Sequence, residues 1–343
     1  MIKHNRPTIS LLELSRICKI FFTRNLLTGT EVRKFESLVD QFFSTPSGSS
    51  IAVSTGSAAI YIAIKALKLE GKRVALPVYS CSSIAHSIRL AGAIPAFVDS
   101  SKESPNMDLK YVFENLKNFD AIFLVDTFGI VNNDEIINQI PLPIIHDISH
   151  SLGTLNSTGI PFRLGDICLF STSATKLITT AGKGGVVIST NPKINSRIRN
   201  LLNFDGNPDP QNHFNFSMSD FEAAFGIVQL KRLPKLIEKR EKIFQIYKSK
   251  LKNLFEIKTD YLRVSRYRAI VQSENPDKMI ATLNKARIKA IRPFELNEFS
   301  QQIFEFPNAL FFIRNLVSIP IYPSLSFRKV KKICKILINL DKN

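Results

Sequence analysis

The chain has 343 residues, enough to bury a large core and to form about two or three structural units. Its 44% hydrophobic and 22% charged residues exclude a disordered chain, and no run reaches the ~20 apolar residues a membrane helix needs. The net charge of +17 admits a nucleic-acid or anionic-membrane partner, but the Lys/Arg-rich stretches 231–252 and 328–335 alternate with apolar residues at helical spacing. That is the pattern of solvated helix faces, and no nucleic-acid-binding motif accompanies it. An anionic substrate would gain from the same positive field.

In chain order, MIKHNRPTISLLELSRICKIFFTRN lacks an uninterrupted apolar core and a small-residue cleavage site. It therefore predicts no signal peptide, and a cytoplasmic location. Thr30, followed by Val32, Phe35, Leu38, Val39, Phe42 and Phe43, predicts a capped amphipathic helix. IAVS is a short strand, and TGS leads into the helix AAIYIAIKALKL, closed by Gly71. Strands are predicted at 73–78, 94–99, 121–126, 143–147, 167–171 and 185–190, with a helix over Ser82–Ala91 between the first two. Strands alternating with helices give a mainly parallel sheet covered on both faces. From about Phe221 the pattern becomes one long helix, reaching Leu254, with Pro234 as a kink. Weaker signals follow at 267–272, 277–286, 289–294 and 316–323. The expected division is a large domain over 1–234 and a small C-terminal α+β domain over 235–343. Cys18, Cys81, Cys168 and Cys334 lie far apart, with no CxxC, which fits a reducing compartment; with no HExxH either, no metal site is expected.

Ligands of open α/β sheets sit beyond the carboxyl ends of the strands, where three groups of candidates fall. Ser54–Ala58 joins a strand to a helix N-terminus, which attracts phosphate but equally reads as an ordinary cap. Asp147 ends an apolar strand, where a carboxylate needs a partner or caps a turn. Ser171 and Lys176 follow the strand ICLFS, and TTAGKGG then turns the chain back; a loop lysine is ordinarily a solvated charge. Taken in order, the pieces suit pyridoxal phosphate (PLP), which needs a lysine for its aldehyde, a carboxylate opposite its ring nitrogen and a phosphate cup.

The sequence resembles the DegT/StrS family of PLP-dependent sugar aminotransferases, through GTEVRKFE (29–36), VSTGSAAIYIAIKAL (53–67), LPVYSCSSIAHSIRLAGAIPAFVD (76–99), IIHDISHSLGT (144–154), GDICLFSTSATKLITTAGKGGVVIST (165–190), FNFSMSDFEAAFGIVQL (214–230) and SIPIYPSLS (318–326). The resemblance implies a fold-type-I PLP transferase and amino transfer from glutamate to a nucleotide-linked keto-sugar, in amino-sugar biosynthesis for polysaccharides or natural products. It implies that Lys176 binds the cofactor aldehyde and moves the proton, and that Asp147 faces the pyridine nitrogen. By the same resemblance, His150 lies near the ring hydroxyl, Ser57, the Ala58 backbone and Ser171 form the phosphate cup, and Asn215 reaches the phosphate of a neighbouring subunit in a homodimer. Cys81 stands where an aromatic ring is usual, with Tyr79 nearby; Ser173 replaces a frequent His, Lys183 a frequent Glu, Ser217 a frequent Arg, and His146 an acidic residue. The alternatives are a sugar dehydratase, against which Lys176 speaks because those relatives carry His there, and a non-catalytic basic regulator or binding protein.

Overall fold

The computed structural model describes residues 1–23, 27–132, 134–161, 165–205, 207–208, 213–256, 259–294 and 301–340. Its main sheet has seven strands: β1 (Ser50–Val53), β2 (Arg73–Pro77), β3 (Ile94–Val98), β4 (Ala121–Val125), β5 (Ile144–Asp147), β6 (Ile167–Ser171) and β7 (Gly185–Ile188). They run in the order β1-β7-β6-β5-β4-β2-β3. The pairings from β3 across to β6 are parallel, and β7 runs antiparallel to both β6 and β1. The helices are α1 (Leu11–Thr23), α2 (Thr30–Phe43), α3 (Gly56–Ala66), α4 (Ser82–Leu90), α5 (Leu109–Glu114), α6 (Asp134–Ile137), α7 (Pro192–Leu202) and α8 (Asp220–Lys248).

Side-chain alternation along the strands explains the layering. Leu169 and Val187 share one cluster with Ile60, Ile64, Ile88 and Ile198 of α3, α4 and α7. Their neighbours Cys168, Phe170 and Val186 face the other way, onto Phe35 and Val39 of α2 and Ile227, Leu230 and Leu233 of α8. With both faces covered, the strands read as continuous apolar runs. The parallel strands end at one common edge, and Asp147 and Ser171 are the last residues of β5 and β6 there.

A second core forms around the antiparallel sheet β10-β9-β8, made of β8 (Leu254–Phe255), β9 (Ala269–Gln272) and β10 (Leu316–Ile319). The helices α9 (Pro276–Lys285), α10 (Pro307–Asn315) and α11 (Phe327–Leu340) accompany it. The first half of α8 serves the main core; Ile243, Phe244 and Tyr247 serve the second, so the division expected at 234/235 falls inside this helix. Ile2 also packs in the second core, its N–H donating to the Arg287 carbonyl at 2.8 Å.

Local patterns misled in three places. Thr30 does not cap α2: Gly29 is the cap residue, and the Asp220 carboxylate takes the Gly29 and Val32 N–H groups at 2.9 Å each. The long helix stops at Lys248 instead of Leu254, because Leu254 and Phe255 pair with β9, a tertiary contact that outweighs helix propensity. Residues 289–294 make only the single bridge Ile291–Ser318 in place of a strand. The N-terminal basic and apolar stretch forms α1, which lies on α8, with Phe21 and Phe221 edge to face at 6.0 Å. Among the described residues no helix is long and apolar enough to cross a membrane.

Candidate active site

At the carboxyl edge of the sheet, loops converge on a cavity of about 430 Å³, large enough for a cofactor-sized ligand. Its first wall is the start of α3. Thr55 caps the helix, its hydroxyl accepting the Ala58 N–H at 2.9 Å, while Gly56 and Ser57 line the cavity. A first-turn N–H has no intrahelical acceptor. A Cβ on Gly56 would lie 2.8 Å from the Ser171 Cβ and 3.1 Å from its hydroxyl, so helix N-terminus and hydroxyl meet as an anion cradle. Ala58 differs from expectation: its N–H is taken by Thr55, and it does not line the cavity.

The segment between β6 and β7 carries Lys176. It is closed by Thr172 N–H to the Gly184 carbonyl and Ala174 N–H to the Gly182 carbonyl, both 2.9 Å. At Gly184 a Cβ would collide with the Thr172 and Thr180 hydroxyls, which explains the glycine. Lys176 Nζ lies 3.0 Å from His150 Nε2. Burial, then the charges of Lys176 and Arg268, hold the His150 pKa well below its ordinary value, so the ring is neutral. Where Lys176 donates, Nε2 accepts and the ring hydrogen sits on Nδ1. That Nδ1 is buried without a partner among the described residues.

Asp147 lines the same cavity. One carboxylate oxygen takes the Ser149 N–H at 2.8 Å, which is the local cap; the other has no partner among the described residues. His146 points elsewhere, its Nε2 3.0 Å from the Asp126 carboxylate, with both side chains fully buried. Asp126 also accepts from Asn132 and from the Ser151 hydroxyl, so His146 finds its acid on β4's end. Although His146 and His150 are four residues apart, they serve different partners, and no metal-binding cluster occurs among the described residues.

Cys81 lines the cavity, its Sγ 3.1 Å from the Ser83 hydroxyl. Tyr79 does not take its place: it is buried among Phe128, Phe294 and Phe312, and the cavity aromatic is Phe294. Ser173 and Lys183 line the cavity as well. Asn215 is exposed and outside the cavity of its own chain. Residues 295–300, directly after the cavity residue Phe294, lie outside the described residues. Sequence reasoning missed Tyr267, whose ring lies flat on His150, centroids 4.0 Å apart and 9° from parallel. Burial opposes its ionisation, but Lys176, Arg268 and Arg240 outweigh it and pull the phenol below its ordinary value. The one available signal was an aromatic flanked by Arg266 and Arg268 just ahead of an apolar run.

A mainly parallel sheet of this order, gathering a lysine, a carboxylate and a helix-end cradle at its carboxyl edge, has the architecture of the fold-type-I transferases. The sequence profile of the DegT/DnrJ/EryC1/StrS aminotransferase family matches residues 9–338, and the chain belongs to that family. Among its relatives is a UDP-4-amino-4,6-dideoxy-N-acetyl-beta-L-altrosamine transaminase of Campylobacter jejuni, 28% identical over 78% of this chain and 75% of the relative. Another is a GDP-perosamine synthase of Vibrio cholerae, 25% identical over 91% of each chain. The fold matches the putative sugar aminotransferase Spr1654 from Streptococcus pneumoniae in its PMP form, with TM-score 0.90 and 21% identity over 98% of both chains. It also matches Helicobacter pylori PseC, an aminotransferase involved in the biosynthesis of pseudoaminic acid, with TM-score 0.89 and 18% identity over 98% of both chains.

Proposed function

We propose that this chain is a PLP-dependent enzyme that moves an amino group from glutamate to a nucleotide-linked keto-sugar, acting as a cytoplasmic homodimer. The observation that carries this reading is that Lys176, Asp147 and the Ser57/Ser171 cradle open into one cavity. The donor set suits PLP on structural grounds: the His150 Nδ1 hydrogen and the second Asp147 oxygen are a donor and an acceptor awaiting partners. When bound, PLP supplies an aldehyde and an electron-withdrawing pyridinium ring. Lys176 would hold the aldehyde through Nζ, and its amine would supply the base that moves the substrate proton. The open oxygen of Asp147 would hold the proton of the ring nitrogen. His150 Nδ1–H would serve as a donor to the ring oxygen. Ser57 and Ser171, at the α3 N-terminus, take the phosphate, with Asn215 of a second copy reaching in from outside. The nucleotide-sugar acceptor is supported by the names of the two curated relatives and by the chain's +17 charge. The exposed Leu11, Leu14, Phe21 and Phe22 of α1 support a dimer.

Borohydride reduction of the PLP-loaded protein, followed by peptide mapping, is expected to find the cofactor on Lys176. Label on another lysine, or none at all, would overturn the assignment. Mass analysis of products from a panel of nucleotide-linked keto-sugars with glutamate then identifies the acceptor.

A further inference from the structure

We propose that Tyr267 is a positioning residue for Lys176: its ring fixes the plane of the His150 imidazole, and the imidazole fixes the lysine amine. The inference rests on the reading of Lys176 as the cofactor lysine. A histidine ring is held only loosely about its terminal torsion, and one hydrogen bond at Nε2 leaves it free to tilt. Among the described residues the His150 ring has no second hydrogen bond, because Nδ1 finds no partner there. What fixes its plane is the face-to-face contact with Tyr267, at 4.0 Å and 9°. Lys176 Nζ itself lies 5.5 Å from the centre of the same ring, within reach of its electron-rich face. Lysine, imidazole and phenol ring thus form one compact group, with the lysine on the β6–β7 segment, the histidine after β5 and the tyrosine just before β9.

The Tyr267 backbone is held as firmly as its ring. The Ser265 hydroxyl donates to the His150 carbonyl at 2.7 Å, and the Ser265 N–H to the Thr154 hydroxyl at 3.2 Å. Gly129, at φ +91°, lets the two segments meet: a Cβ there would lie 2.8 Å from the His150 carbonyl oxygen and 3.4 Å from the Tyr267 nitrogen. Arg240 of α8, 2% exposed, donates through Nη1 to the Tyr267 and Ile321 carbonyls at 3.1 Å each. Burial lowers its pKa to about 10, so it stays charged at neutral pH. A buried cation bonded to carbonyls is expensive, and here it ties the residues flanking β9 and following β10 to the helix that spans both cores.

The test contrasts Tyr267→Phe, which keeps the ring, with Tyr267→Leu, which removes it. Trace acetylation of the cofactor-free full-length protein, read by peptide mapping, reports Lys176 without any cofactor. Tyr267→Leu should change Lys176 labelling by at least about threefold relative to other lysines, and Tyr267→Phe should match wild type; in a His150→Gln background the leucine effect should largely vanish. In the PLP-loaded enzyme Tyr267→Leu should lower kcat about tenfold to a hundredfold. The donor KM should stay within about twofold, and Tyr267→Phe should restore most of the rate. Should the leucine variant not fold, Tyr267→Met supplies the same loss of ring. Wild-type labelling and turnover in the ringless variant overturn the proposal. So does equal damage from Phe and Leu, which would assign the effect to the hydroxyl, or an undiminished effect in the His150→Gln background. A labelling contrast in a protein whose Lys176 never takes PLP would keep the positioning and reject the cofactor reading.

Discussion

At Asp147 the cap is in place and a second role has room. One oxygen caps the turn through the Ser149 N–H, and the other faces a cavity without a partner. Asparagine can keep the first contact through its own oxygen, but its amide cannot hold a proton on a ring nitrogen. Asp147→Asn should therefore unfold within a few degrees of wild type, by thermal melt, and lose at least about a hundredfold in kcat. Activity near wild type would reduce Asp147 to a cap. The residues legible in the sequence were those whose place follows from their position in an element: Asp147 and Ser171 at strand ends, Ser57 at a helix start, Lys176 in the turn after a strand. Contacts between distant segments left no such mark. Tyr267 against His150 and Asp126 under His146 both depend on how the chain folds back.

At the scale of elements, short apolar runs bounded by turn residues located every strand of the main sheet, because a sheet covered on both faces writes continuous apolar stretches into the chain. The second sheet was less legible: β8 has two residues and exists through its pairing with β9. Helix ends were hardest where the capping group is remote. Asp220 is the first residue of α8, 1% exposed, and its carboxylate closes the N-terminus of α2 across the interface between the two helices. Gly29 admits this approach, since a Cβ there would lie 2.8 Å from the Asp220 oxygen. Asp220→Ala would leave two α2 N–H groups open and remove negative charge from two helix starts. The expected cost is about 1–3 kcal/mol, seen as a lower urea midpoint at unchanged slope. A midpoint within error of wild type would mean that water serves those N–H groups equally well.

At the scale of the whole molecule, the basic stretches behave as solvated faces: Lys231, Lys235 and Lys239 of α8 and Arg328, Lys329, Lys331 and Lys332 of α11 are exposed beside buried apolar neighbours. The start of α8 is partly internal, since Ala224 and Phe225 are buried and α1 packs Phe21 onto Phe221. A group of exposed apolar residues, Leu11, Leu12, Leu14, Phe21 and Phe22, lies on α1. Asn215, exposed and not among the residues that line its own cavity, fits a site completed across a dimer. A hydrogen bond to a charged phosphate contributes about 1.5–3 kcal/mol, so Asn215→Ala should weaken PLP binding roughly tenfold to a hundredfold. The sharper test mixes two inactive proteins, Lys176→Ala and Asn215→Asp, and lets subunits exchange. If Asn215 serves the partner's site, each mixed dimer has one site with both defects and one with neither. Random exchange of equal amounts then restores about a quarter of wild-type activity, because half the dimers are mixed and half their sites are intact. If Asn215 serves its own subunit, every site in every dimer keeps one defect and nothing returns. A dead mixture after exchange verified by mass, or a monomer by sedimentation, would leave Asn215 as a surface residue and the cavity complete within one chain.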